Sequence, residues 1–195
     1  MMRLSTLLVR PRITFPSCPQ EILRAQRLLT IQYHSFDGRC HEGRLMVHEL
    51  IADDVQDIFR ELLYMDFPIT KMIPLSDPYY DWNDERSMND DNTSGFNYRT
   101  IAGTDRLSLH GYGLAIDINP RRNPCIRGQE VSPRGARYDP TVYGTIIHGS
   151  PVVEVFLNHG FVWGGHWEEI KDYQHFEKPV DIPQSMIRLV KSEKE

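Results

Sequence analysis

Two short segments carry the residues best able to do chemistry. The first is Ser108-Leu-His110-Gly-Tyr-Gly113-Leu-Ala115-Ile-Asp117, and the second is Asp172-Tyr-Gln-His175. Together they offer two imidazoles and one carboxylate as candidate metal ligands, His110, Asp117 and His175, and leave Asp172 as a second carboxylate. A catalytic zinc site takes three protein ligands and keeps a fourth position open for water or substrate. A hydrolase built on it also needs a proton acceptor within reach of that water. Asp172, three residues before His175, fits that acceptor. Arg99, in Ser94-Gly95-Phe96-Asn97-Tyr98-Arg99, is a candidate to hold a developing oxyanion or a substrate carboxylate, because a guanidinium stays charged and can bind two oxygens at once. Glu177 alternates with His175 and is placed to orient that ligand. The alternative for His110, Asp117 and His175 is a hydrogen-bonded polar cluster without metal. Three ligands of the right types in two well-formed segments favour zinc, one ion per chain.

The elements that must position these residues are legible in part. Leu114, Ile116 and Ile118 alternate with Ala115, Asp117 and Asn119, so Gly113 to Asn119 reads as a strand with Asp117 on the face away from the core. Gly111 and Gly113 are expected to let the chain turn sharply and bring His110 beside Asp117. Gln20 to Leu29 has helical spacing, and Leu28 to Tyr33 can follow as a strand. Asp37-Gly38 marks a turn, and Arg44 to Val47 is predicted to return as a second strand after a long loop around His41. Val55, Ile58, Phe59, Leu62 and Leu63 form the apolar stripe of a helix over Ala52 to Tyr64, with Asp53 and Asp54 in its first turn. Phe67 to Ile73 and Phe161 to Trp163 read as strands. Val152 to Asn158 reads as a short helix closed by Gly160. The long polar segment from Asp77 to Thr93, with Tyr79, Tyr80 and Trp82 interleaved, is either a functional loop or an exposed excursion. Asn123 to Pro140 reads as loop. This order of strands and helices predicts a single α+β domain with a mainly antiparallel sheet flanked by helices.

Composition narrows the function. The chain has 195 residues, enough for one domain with a hydrophobic core, and is 40% apolar and 25% charged. A net charge of −5 with no basic run argues against a nucleic-acid partner. No stretch has the length of a membrane span. The apolar run from Leu4 to Val9 is cut short by Arg10 and Pro11 and makes a poor signal peptide, so location is left open. Cys18, Cys40 and Cys125 form no C-x-x-C pair, and three reduced thiols is the simplest reading. Residues 1–19 are read as an N-terminal extension and 20–195 as the functional domain.

The pattern S-x-H-x-x-G-x-A-x-D, followed by W-G-G-x-W at Trp163 to Trp167 and D-x-x-H-F-E at Asp172 to Glu177, resembles the D-alanyl-D-alanine carboxypeptidase family of zinc peptidases. That group includes L-alanyl-D-glutamate endopeptidases and VanY-like carboxypeptidases of vancomycin resistance, and its fold is similar to the zinc domain of hedgehog proteins. The resemblance is densest from Phe96 to Pro124 and from Phe161 to Pro179. It implies His110, Asp117 and His175 as zinc ligands, Asp172 as general base and Arg99 as the family's upstream arginine. It also implies that Ser108 supports the site or touches substrate. Trp163 and Trp167 are expected as core or cleft walls, and His166 as an exposed loop residue. His34, His41, His48, His148 and His159 are expected to have no catalytic part. The implied activity is hydrolysis of peptidoglycan stem peptides or muropeptides, as a carboxypeptidase releasing terminal D-alanine. An endopeptidase cutting inside the stem and a non-catalytic zinc-containing binding module are the alternatives. Either Arg99 or Arg122 could hold the free carboxylate that a carboxypeptidase must recognise.

Overall fold

The computed structural model describes residues 18–182, so the Leu4 to Val9 run and most of the predicted extension lie outside the described residues. The chain begins with a five-residue helix α1 (Gln20–Arg24) and enters a nine-residue strand β1 (Gln26–His34). Helical spacing predicts a longer helix here. One isolated turn is marginal in water, whereas β1 pairs along its whole length with β2 (Cys40–His48), from Gln26 opposite His48 to His34 opposite Cys40. The return strand thus starts earlier than predicted, and His41 lies in it, stacked on Tyr33, rather than in a long loop. A 3₁₀ turn (Glu49–Ile51) leads into helix α2 (Ala52–Tyr64), where the predicted stripe is realised. Val55, Ile58, Phe59 and Leu62 are buried and pack toward β1, and truncating a side chain such as Phe59 to Ala costs about 3–5 kcal/mol in a packed core.

The predicted strand from Phe67 to Ile73 shrinks to β3 (Lys71–Met72), because Pro68 has no N–H to give to a ladder. It runs parallel to β4 (Asn92–Thr93), and between them lies the short helix α3 (Asp84–Asn89). The segment around α3 is firmly tied down. Lys71 Nζ and Tyr80 Oη donate to Asp90 Oδ2 at 2.7 and 2.8 Å, and Thr70 Oγ1 and the Arg121 N–H donate to the carboxylate of Asp91. The excursion reading is therefore wrong for this part of the chain.

The site elements follow. A single helical turn, α4 (Leu109–Tyr112), leads to strand β5 (Ala115–Asp117). The predicted loop from Asn123 to Pro140 contains a hairpin, β6 (Cys125–Arg127) with β7 (Glu130–Ser132), turning at Gly128 with φ of 60°. Helix α5 (Pro151–Asn158) starts on Pro151, ends where Gly160 takes a φ of 76° as predicted, and packs against α2. Then come β8 (Val162–Trp163), a 3₁₀ turn at Gly164–His166, β9 (Lys171–Asp172) and β10 (His175–Glu177).

The molecule is mixed α and β, and all strand pairs except β3 with β4 are antiparallel. The predicted single sheet is instead divided, among the described residues, into a β1-β2 ribbon, a β5-β10-β8 sheet, the β3-β4 pair and a β7-β6-β9 sheet. Most of these strands have two or three residues, too few to span one continuous sheet. The apolar core is nevertheless contiguous, running from Leu29, Leu45 and Phe59 through Ile116 and Ile118 to Phe156, Trp163 and Phe176. No helix among the described residues is long and apolar enough to cross a membrane.

Candidate functional site

Strand register brings the two sequence segments together. In the β5-β10 pair His175 lies directly opposite Asp117, and side chains of opposed residues project from the same face. One position on, Phe176 opposes Ile116 and Trp163, so the reverse face is apolar. Asp117 faces away from Ile116 as predicted, but it is as well buried as its neighbours: only 5% of Asp117 is accessible. The face opposite the apolar core is itself an interior surface, covered by α4.

His110 comes from that turn. Ser108 caps it, its Oγ accepting from the His110 N–H at 3.3 Å, and Gly113 closes it with φ of 77°. A Cβ at Gly113 would lie 2.2 Å from Gln26 Oε1 and 2.8 Å from the His48 nitrogen, so only glycine lets the turn dock on the β1-β2 ribbon. Gly111 has ordinary helical geometry, and Gly113 alone supplies the sharp bend expected of the two.

His110 Nε2 is 3.2 Å from Asp117 Oδ1, His175 Nδ1 is 3.0 Å from the same oxygen, and the two ring nitrogens are 3.1 Å apart. All three side chains are buried, with their ligand atoms within 4.8 Å of one another. The outward nitrogens decide what this cluster can hold. His110 Nδ1 is 2.7 Å from the Gly95 carbonyl, which can only accept, so the proton sits on Nδ1. His175 Nε2 is 3.0 Å from Glu177 Oε2 and donates to it in the same way. The two inward nitrogens are thereby left as lone pairs facing each other and a carboxylate oxygen. Such an arrangement repels itself unless a cation lies among the three atoms. Without a metal the proton takes that part: burial opposes charge on His175, but Asp117 and Glu177 outweigh it and its pKa is pushed up to about 10. Burial likewise opposes ionisation of Asp117, and the two imidazoles overcome it, holding that carboxyl well below its usual range. The donor set therefore fits a divalent metal of the zinc type, with each histidine fixed by an outer partner.

Around the cluster runs a cleft of 1260 Å³ lined by Arg99, Ser108, His110, Asp117, Trp167, Asp172, His175 and Glu177. Of the candidate site residues read from the sequence, all but Arg122 thus line one cavity. Asp172 enters it from β9, where burial pushes its carboxyl above the ordinary carboxylate range and the Asp117 charge adds to the effect. Its Oδ1 is shielded from solvent with no hydrogen-bond partner. Gly164 explains how the loop reaches so close, since a Cβ there would lie 2.6 Å from the Asp172 carbonyl and 3.3 Å from the His175 Cβ. Trp167 forms a wall, its ring 5.3 Å from that of His175, whereas Trp163 is buried in the core with Nε1 donating to the Tyr173 carbonyl. Cys125 stands opposite Asp172 in the β6-β9 register, and burial and that carboxylate push its thiol up to about 12, which keeps it protonated. None of the three cysteines forms a disulfide.

Arg122 does not line the cleft. Its guanidinium lies 3.9 Å above the Phe36 ring, so of the two arginines considered for a substrate carboxylate Arg99 alone is in place. His166 is exposed and contacts His148 rather than the cleft. Two contributors escape sequence reading. The Gly95 carbonyl fixes the His110 tautomer, and glycine is needed there because a Cβ would meet the Met46 carbonyl at 2.3 Å. Asp84 of α3 also lines the cleft, its Oδ2 3.0 Å from Arg99 Nε.

Comparison with curated proteins and with solved structures gives no match. Residues 102–178, which include His110, Asp117, Asp172 and His175, match the family model described as D-alanyl-D-alanine carboxypeptidase, so the stretch that builds this site is similar to that peptidase family.

Proposed function

We propose that the protein is a zinc-dependent D-alanyl-D-alanine carboxypeptidase acting on peptidoglycan stem peptides, with residues 20–195 as its peptidase domain and a hedgehog-like zinc fold. The observation that carries this reading is the convergence of His110 Nε2, Asp117 Oδ1 and His175 Nδ1, with both outward histidine nitrogens already bonded. Zinc held by these three residues would supply Lewis-acid activation of water and of the scissile carbonyl. Asp172 takes a proton from the attacking water and delivers it to the departing amine of D-alanine, a role suited to a carboxylate whose pKa is raised by burial. Arg99 binds the free carboxylate of the terminal residue, and that contact favours exopeptidase over endopeptidase cleavage. Trp167 bounds the cleft beside the ligands, and Ser108 holds the turn that presents His110. Glu177 keeps His175 Nδ1 aimed inward.

Metal analysis of the purified protein, with mass spectrometry of pentapeptide muropeptides incubated with and without chelator, tests the proposal. One zinc per chain and chelator-sensitive release of D-alanine are expected. Cuts inside the stem would make the enzyme an endopeptidase, and metal without cleavage would leave a binding module. Asp172→Ala should keep its zinc and lose about 10²–10⁴-fold in turnover, the usual share of a general base. Full turnover in that variant would remove Asp172 from the mechanism.

A further inference from the structure

Asp84 stands in the segment from Asp77 to Thr93 whose composition first marked it as unusual. Helix α3 is capped by Asn83, whose Oδ1 accepts from the Arg86 N–H at 2.8 Å, and the chain after it is anchored through Asp90, Asp91 and Asn92. This rigid support brings Asp84 and Met88 to the cleft wall. Asp84 Oδ2 lies 3.0 Å from Arg99 Nε as an ion pair, and that Nε is shielded from water with no well-aligned hydrogen bond to any acceptor, which leaves the Asp84 carboxylate as its nearest compensating charge. The contact is made at the Nε edge of the guanidinium. A guanidinium presents two such edges, and occupying one with a fixed carboxylate leaves the terminal Nη pair as the edge for a second, bidentate partner. Holding that planar group in one orientation also removes rotamer freedom that substrate binding would otherwise have to remove.

We propose that Asp84 is a positioning residue for substrate recognition: it fixes Arg99 so that the Nη edge meets the terminal carboxylate of the peptide. The kinetic part of this inference rests on the carboxypeptidase reading; the structural part does not. Asp84 touches neither the reacting bond nor the metal ligands, so its removal acts on KM and leaves kcat nearly unchanged.

Two readouts test it on zinc-loaded, full-length protein. In nitrogen-15 spectra of the arginine side chains, the Arg99 Nε–H, assigned through its loss in Arg99→Lys, should exchange slowly in the wild type. It should broaden or exchange rapidly in Asp84→Ala and be partly restored in Asp84→Asn, which keeps an acceptor at the same place. In steady-state assays Asp84→Ala should raise KM for a peptide ending in free D-alanine about tenfold, the size expected for one disordered charge-assisted contact. Asp84→Asn should recover part of that loss. An Arg99 Nε–H unchanged in Asp84→Ala would overturn the inference, as would a fall in kcat at constant KM. If the wild type cleaves nothing, the proposed function fails by itself, and the spectra still decide whether Asp84 holds Arg99.

Discussion

Two histidine pairs in this molecule have nearly the same internal geometry and opposite surroundings. His110 and His175 have ring centroids 5.0 Å apart and nitrogens 3.1 Å apart; for His148 and His166 the values are 5.0 and 2.9 Å. The first pair is buried, shares the carboxylate of Asp117, and has its outward nitrogens bonded to the Gly95 carbonyl and Glu177. The second is exposed, and among the described residues it belongs to no group of three metal-binding side chains. In the exposed pair one ring can donate to the other, each free to choose its tautomer in contact with water. In the buried pair the outer partners hold the outward protons, so the inward nitrogens must share an added cation with Asp117, either a metal ion or a second proton on His175. Proximity of imidazoles is thus common to both, while the outer acceptors and the third ligand distinguish a cluster that could hold a metal ion from a surface contact.

The strongest way to break the comparison is to take a ligand from the buried pair. His110→Ala should reduce zinc from one per chain to almost none and abolish cleavage, because two remaining ligands do not complete a structural or catalytic zinc site. Retention of stoichiometric zinc, read by metal analysis after dialysis, would overturn the ligand assignment. A gentler change leaves the ligands and removes the outer partner. Glu177→Gln keeps the size of the side chain but can turn its amide N–H toward His175 Nε2, and metal affinity should fall about 10–100-fold, the usual effect of losing such a partner. Competition against a chelator of known affinity measures it. An unchanged affinity would mean that the register of β5 with β10 alone orients His175.

What was legible in the sequence follows the same division. His110, Asp117, Asp172 and His175 could be named as candidates, and the structure brings them to one cleft, because side-chain chemistry and spacing are both local. The α2 stripe was readable because Val55, Ile58, Phe59 and Leu62 repeat with the helix period. The acceptors that bond the outward histidine nitrogens were only half readable. Glu177 sits two residues from its partner and could be named, whereas the Gly95 carbonyl is a backbone group brought in from a distant loop and has no side chain to announce it. The Asp84 contact with Arg99 is likewise made between separate elements, the start of helix α3 and the loop that carries Arg99. The strand that carries Asp117 was recognised by its alternation, yet alternation reports only that one face is apolar. That the polar face is buried too depends on α4 folding over it, a tertiary fact. Beyond the site, β2 begins earlier than predicted because His41, Glu42 and Gly43 are drawn into pairing by β1, and Gly43 fits only because its missing side chain makes room for Met72.

A further histidine gives an intermediate case that pH can probe. His159 Nδ1 is 3.2 Å from Asp54 Oδ1, and Lys178 Nζ donates to Asp54 Oδ2 at 2.6 Å, linking α2 to the chain after β10. Burial opposes ionisation of Asp54, but Lys178 and His159 outweigh it and its carboxyl is held below the usual value. A carboxylate with a depressed folded-state pKa stabilises the fold above its unfolded pKa of about 4, and the contribution is lost as pH falls through the folded value. Asp54→Asn should therefore lower Tm by about 2–4 °C at pH 7, corresponding to roughly 1 kcal/mol for a partly exposed ion pair. As pH falls through the lowered folded-state value the difference should shrink toward zero. A difference that persisted undiminished in acid would assign the loss to hydrogen-bond geometry rather than to charge.

The smallest effect is expected where the exposed pair is dismantled. His148→Ala and His166→Ala each remove one of two solvated rings, and water replaces the lost partner at little cost. Each should change stability by no more than about 0.5 kcal/mol, as for surface substitutions generally, and leave zinc content untouched. His166 makes the sharper test of the two. It lies in the turn Gly164–His166, two residues after the glycine that allows Asp172 and His175 to pack closely, and its ring stands edge-on to Trp163 with centroids 5.0 Å apart. If this edge contact braces the turn, His166→Ala would lower turnover with zinc still bound, while His148→Ala would not. Equal and negligible effects in both would show that Gly164 and the buried Trp163 hold the turn unaided, and that an imidazole pair without a third ligand and outer acceptors contributes almost nothing to this protein.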